Sequence, residues 1–289
     1  MKRILPIIIC LCLSCSALAQ VPCLWCQSNE DYGFKDSLWG DCNPAPSDSL
    51  DSEQTRVYYD FTFNGRNKIT GEWLLQVGTN ATRFLSAQRY LADSIQRVTN
   101  RRSARVLNHI EGGDPFHYFD SYFISDSKCR FACRLAMDDI MYEETLPAID
   151  WELQDSVANI CGYQCRSARA TFRGRSYFVF YAEDIPVSAG PWKLRGLPGL
   201  ILHADVDDGK FVLHASQVGP STGESILWQK YPYAKVSRGQ YMKMMALLFQ
   251  NFGVAIVSHY NRNPQVTAGL PAAGYVPPDL SWVELLEKE

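Results

Sequence analysis

Two alternating runs, "LILHADV" and "KFVLHAS", flank a turn built around Asp208 and Gly209. No other feature limits the possible folds so tightly. Asp-Gly between apolar runs is a strong hairpin signal, because a two-residue type I′ turn needs positive φ at both central residues. With that loop, Asp207 pairs with Lys210, Val206 with Phe211, Ala204 with Leu213 and Leu202 with Ala215. Side chains alternate between the faces of a strand, so these residues make one wholly apolar face that packs on a core. The opposite face pairs Asp205 with Val212 and sets His203 directly across from His214, with Cβ atoms about 5 Å apart.

Further strands follow from the same period of two. In "RVYYDFTF", Val57, Tyr59, Phe61 and Phe63 alternate with Arg56, Tyr58, Asp60 and Thr62. "EWLLQVG" is a second candidate, and "CRSARATF" and "SYFVFYA" flank Arg173-Gly174-Arg175 as another short hairpin. Helical spacing is rarer. "SAQRYLADSIQRV" places Leu91, Ile95 and Val98 on one stripe, and Arg97, Arg101, Arg102 and Arg105 cluster at and beyond its end. That cluster is either a solvated helix end or an anion site. Near the C-terminus, Ser237 and Gln240 form a capping-box pattern. Tyr241, Met244, Met245, Leu248, Phe249 and Phe252 then repeat as an amphipathic stripe, with Gly253 suited to the C′ position. This stripe is expected to pack on a sheet rather than to hold a ligand.

The chain opens as an export signal: "MKR", then apolar "ILPIIICLCL", then small-residue "SALAQ". The apolar part is shorter than the about 20 residues a membrane-spanning helix needs. Cleavage after Ala19 leaves Gln20 first. An uncleaved anchor and a lipid on Cys15 are the competing readings. No second long apolar segment follows, so no transmembrane segment is expected in the mature chain. Loss of Lys2 and Arg3 takes the formal net charge from −3 to −5, which offers no basic field for nucleic acid. Three units are expected: the signal at 1–19, a cysteine-containing arm and acidic linker at 20–55, and a β-rich domain at 56–289.

Of the 10 cysteines, Cys10, Cys12 and Cys15 lie in the signal. Cys23, Cys26, Cys42, Cys129, Cys133, Cys161 and Cys165 remain, and in an exported chain they read first as disulfides. "CLWCQ" is a Cys-x-x-Cys: a redox pair, a local staple, or a pair that bonds with Cys42 instead. No βαβ setting supports the redox reading, and no second pair completes a zinc knuckle. Cys129 and Cys133 share the spacing of Cys161 and Cys165, so at least one bridge is expected between the two pairs.

"GYQC", "RGR", "IP" and "GPWKLRGLPGLIL" follow one another between Gly162 and Leu202. With "LLQVG" and "FLSAQRYLADS", this string resembles the GLPGLI family of exported Bacteroidetes proteins, over roughly residues 57 to 215. The additional cysteines and the acidic lead-in depart from the family pattern. The resemblance implies a β-rich domain of the cell envelope, in the periplasm or at the outer membrane. Its partner would be an unknown ligand or envelope protein, such as an outer-membrane receptor system. It brings no established activity. With the stripe described above, the expected fold is mainly β with minor α: a curved antiparallel sheet or half-barrel packed on a C-terminal helix.

Candidate chemistry is sparse. No Gly-x-Ser-x-Gly elbow, His-Glu-x-x-His or phosphate-cradling loop is present, and no cofactor is expected. Between Ile185 and Gly199, three prolines and three glycines specify one rigid loop. That loop carries Trp192, Lys193 and Arg195 either as a binding surface, together with Arg173 and Arg175, or as a crossover whose Trp192 plugs the end of the sheet. His203 and His214, with Asp205 on the same face, are weak metal ligands or simply a half-exposed pair. The expected function is non-catalytic ligand or partner binding. The alternatives are a thiol-redox or hydrolytic enzyme, and a metal-handling protein using His203 and His214 or cysteines.

Overall fold

A computed structural model describes residues 47–66, 68–87, 89–91, 94, 121–135, 138–230, 232–250 and 286–288. The strands are β1 (Ser47–Asn64), β2 (Lys68–Gly78), β3 (Ala81–Ser86), β4 (Ser121–Ser125), β5 (Lys128–Leu135), β6 (Asp138–Thr145) and β7 (Glu152–Ile160). They continue as β8 (Tyr163–Phe172), β9 (Arg175–Ala182), β10 (Leu200–Val206), β11 (Phe211–Pro220), β12 (Ser225–Gln229) and β13 (Ala234–Lys235). A helix, α1, spans Arg238–Gln250, and the described residues 87, 89–91 and 94 are helical as well.

All the strands join one sheet in the order β13-β6-β5-β4-β3-β2-β1-β11-β10-β9-β8-β7, with β12 pairing β1 beside this path. Two antiparallel meanders therefore meet where the 18-residue β1 pairs β11. The expected mainly β class with a curved sheet holds. Among the described residues its one parallel pairing is the two-residue match of β13 with β6.

One face of this sheet is the core. Val57, Tyr59, Phe61 and Phe63 are all buried, as their alternation requires. Aromatic contacts carry the core from strand to strand, from Trp73 on Phe84 (4.9 Å) through Tyr122 on Phe131 (4.7 Å) to Tyr142. Tyr241 of α1 packs on Phe131 and Tyr142 at 4.9 and 5.3 Å. The helix begins where its capping box places it: Ser237 N–H donates to Gln240 Oε1, and Gln240 N–H donates to Ser237 Oγ. Its stripe is realised in Tyr241 and Met245, both buried. The sheet curls strongly. Arg173, in the β8–β9 turn, reaches Glu144 of β6 at 2.6 Å, although these strands stand near opposite ends of the order.

The hairpin register is observed from Val206↔Phe211 through His203↔His214. Asp208 and Gly209 have φ of 52° and 89°, the type I′ pattern. The expected pairing of Leu202 with Ala215 is not part of the ladder. A bulge interrupts the β9–β10 pairing between Ile201 and His203, and the Ile201 carbonyl accepts instead from the Tyr59 hydroxyl at 2.6 Å.

Two further expectations are corrected. Residues 47–55 are not a linker: strand β1 begins at Ser47 rather than Arg56. Its acidic residues have fixed partners. Asp51 accepts from the Asn80 and Ala81 N–H groups, and buried Glu53 accepts from Arg56 (2.8 Å) and Gln76 (2.7 Å). Nor does a bridge join the two cysteine pairs. Cys129, Cys133, Cys161 and Cys165 are all free thiols. The strand order explains this: β5 pairs β4 and β6, whereas β8 pairs β7 and β9. The signal, Cys23, Cys26, Cys42, the arginines from Arg97 to Arg105, and Gly253 lie outside the described residues.

Candidate functional site

The stretch from Ile185 to Gly199 folds largely on itself. Val187 N–H donates to the Ile185 carbonyl, Ala189 N–H to that of Val187, and Gly196 N–H to Ser188 Oγ. Trp151 Nε1 closes over the loop by donating to the Arg195 carbonyl at 2.8 Å. Glycine is compulsory at 199, because a Cβ there would stand 2.2 Å from the Ala182 carbonyl oxygen. The loop's other punctuation holds Trp192 at φ 56°, a conformation bulky residues rarely adopt.

This conformation turns Trp192 and Lys193 inward. Trp192 is 1% exposed, stacked on Tyr177 at 6.0 Å and edge-on to Phe172 at 5.8 Å. The plug reading of Trp192 therefore fits its position, and the open binding surface expected from Trp192 and Lys193 is not formed. Lys193 is 0% exposed. Its ammonium lies 2.6 Å from Glu144 Oε1, 3.0 Å from Glu287 Oε1 and 3.1 Å from the Tyr142 hydroxyl. Arg195 is half-buried beside the loop.

Two more cations meet the same carboxylates. Arg173 contacts Glu144 at 2.6 Å and lies 3.9 Å from Glu287. Arg238, at the start of α1, contacts Glu287 at 2.9 Å and Glu144 at 3.7 Å. Lys193, Arg173 and Arg238 thus face two carboxylates, leaving one positive charge in excess. Glu287 arrives on the chain's last residues. Lys288 N–H donates to the Arg173 carbonyl, and the Leu286 carbonyl accepts from Tyr177. Arg175 stands apart. It pairs with Asp207 and lies over the Phe211 ring at 4.7 Å.

Of the five candidate binding residues, the structure brings only Arg173 and Lys193 to a common centre. Glu144, Arg238, Tyr142 and Glu287 were not anticipated. The alternation Ile140, Tyr142, Glu144 would have turned Glu144 inward had β6 been assigned. Glu287 lies 94 residues from Lys193 and carried no local signal.

The hydroxyls and thiols around the centre are held in their uncharged forms. Burial pushes the Tyr122, Tyr142 and Tyr241 hydroxyls well above their ordinary range, so they stay protonated. Burial also raises the thiols: Cys129 to about 12, against the pull of Lys193, and Cys165 to about 11. Exposed Cys161 is raised as well. A thiol held protonated is a poor nucleophile, which weighs against a redox role for these three.

On the outer face, His203 Nδ1 and His214 Nδ1 are 3.0 Å apart. Burial, then the neighbouring imidazole, lowers the pKa of His203. Asp205 does not join them. It accepts from Gly209 N–H in the turn. Among the described residues, no group of three or more histidine, cysteine, aspartate or glutamate side chains is arranged to hold a metal.

No family model matches the sequence, and no curated protein matches it. Among solved structures, the chain is similar to PNGF-II in the P21 space group, with TM-score 0.47 and 13% identity over 66% of this chain and 33% of that one. It is also similar to PNGF-II in the C2 space group, with TM-score 0.43 and 13% identity over 66% and 32%. The chain spans about a third of the length of these proteins. No helix among the described residues is long and apolar enough to cross a membrane.

Proposed function

We propose that this chain is an exported binding protein of the cell envelope, of the GLPGLI type, which recognises an anionic ligand or partner without transforming it. The observation that carries this reading is the centre formed by Lys193, Arg173 and Arg238. Three cations meet in a buried setting where charge interactions are strong. One of the two balancing carboxylates, Glu287, is supplied by the chain's last residues. A ligand carboxylate or phosphate entering the same place would replace Glu287 and gain bidentate contacts from arginine. Export is supported by the signal pattern at residues 1–19. The family reading is supported by the motif string from Gly162 to Leu202.

Native mass spectrometry of protein isolated from the envelope tests the proposal. The Glu287→Gln variant should retain an anionic small molecule or acidic peptide, because its own carboxylate no longer competes. Adding Arg238→Gln, a change at the partly exposed rim, should reduce that adduct. A Glu287→Gln protein without any bound anion, or an adduct indifferent to Arg238→Gln, contradicts the proposal.

A further inference from the structure

Strand registers align a row of side chains across the outer face. Phe180 of β9 stands opposite His203 of β10, His203 opposite His214 of β11, His214 opposite Asp60 of β1, and Asp60 opposite Glu72 of β2. Residues opposite each other in antiparallel strands have Cβ atoms about 5 Å apart. Two imidazoles therefore adjoin two carboxylates on four consecutive strands. His214, Asp60 and Glu72 are exposed and His203 is half-buried, so the row is open to solvent. It lies on the face opposite the Lys193 centre and is independent of it.

We propose that His203 and His214 form a two-nitrogen chelate for a divalent transition-metal ion, with Asp60 across the ladder as a nearby charge rather than a ligand. The spacing carries the proposal. Metal–imidazole bonds are about 2.0–2.1 Å long, so two nitrogens at a right angle around one ion stand about 2.9 Å apart, and at a tetrahedral angle about 3.4 Å. The observed separation of the two Nδ1 atoms is 3.0 Å. In the metal-free pair, one Nδ1 donates its proton to the other. On binding, that proton leaves Nδ1 and one is taken up at Nε2 of the same ring. Both imidazoles stay neutral and both Nδ1 lone pairs face the ion.

The carboxylates supply a second reason. Like charges directly opposite in a sheet are unfavourable. Asp60 and Glu72 are so placed. A cation above the row relieves that repulsion. Among the charged groups on this face, Asp205 is held by the turn, and Arg169 lies over the Phe178 ring at 4.9 Å. Imidazole donors suit nickel, copper and zinc, and the remaining positions would hold water.

Calorimetric titration of the full chain with Ni(II) at pH 7.5 tests this. One ion should bind with micromolar affinity. His203→Ala and His214→Gln should each weaken binding at least tenfold, and Asp60→Asn several-fold, while Cys161→Ser changes nothing. His214→Gln retains size and polarity at an exposed position, and its melting curve checks the fold. An absence of binding to the wild-type chain overturns the proposal. So does unchanged binding in either histidine variant, or loss of binding in Cys161→Ser.

Discussion

The ammonium of Lys193 lies 3.0 Å from a carboxylate oxygen of Glu287, which stands 94 residues further along the chain. Neither group tolerates solitude at that depth. Removing one partner of a buried ion pair leaves an uncompensated charge and costs about 3–5 kcal/mol. Glu287→Gln leaves Lys193, Arg173 and Arg238 facing Glu144 alone and should therefore lower stability by that order in urea denaturation. Lys193→Met with Glu287→Gln should recover part of the loss. Equal losses in the single and double variants would show that the pair is not coupled.

Gly199 and Gly209 separate two kinds of glycine requirement. A Cβ at 199 collides with the Ala182 backbone, whereas at 209 it meets nothing within 4 Å and the demand is the φ of 89°. Gly199→Ala should destabilise by about 2 kcal/mol or more through overpacking next to rigid backbone. Gly209→Val should cost roughly 1–3 kcal/mol through backbone strain alone. Thermal melts of both variants check the two values, and an unchanged melt for Gly209→Val would refute the assigned turn.

The hairpin was legible because its signals are local. The Asp-Gly turn and the alternation of apolar residues lie within a few positions of each other, and together they fixed the His203–His214 pairing. The start of β1 was not legible. "SDSLDSEQ" has the composition of a solvated segment, and only partners such as Asn80 and Gln76 turn its carboxylates into structural groups. The charged centre was hidden for the same reason. Lys193 was visible in a rigid loop, but its inward turn depends on the Trp192 backbone, and its partners come from β6 and the end of the chain. Equal cysteine spacing misled because spacing says nothing about which strands become neighbours.

Cysteine accessibility gives a third check. Cys161 is exposed in the β7–β8 turn, while Cys129, Cys133 and Cys165 are buried. Brief treatment of the native protein with a thiol reagent at pH 8, followed by peptide mapping, should label Cys161 first among these four. Rapid labelling of Cys129, or a recovered bridge among the four, would contradict the described packing.

The histidine pair predicts a pH dependence. The folded-state pKa of His203 lies below the ordinary 6.5, so the folded protein resists protonating it. Its contribution to stability is complete above about pH 6.5 and is lost as pH falls through the lower folded value. The carboxylates with lowered pKa, Asp51 and Asp207, lose their contributions only below their ordinary 3.8. Between pH 7.5 and 5.5 the metal-free wild type should therefore lose more melting temperature than His203→Gln. Identical slopes would contradict the shift.

The claim that Lys193, Arg173 and Arg238 form an anion site filled by Glu287 is tested most directly by calorimetry on a chain ending at residue 285. The synthetic peptide Leu-Leu-Glu-Lys-Glu, matching residues 285–289, should bind that chain one to one and should not bind the full-length protein. Replacing the peptide's central glutamate with glutamine should abolish the heat. Equal binding of the glutamate and glutamine peptides, or no binding by a truncated chain that still melts cooperatively, would contradict the account.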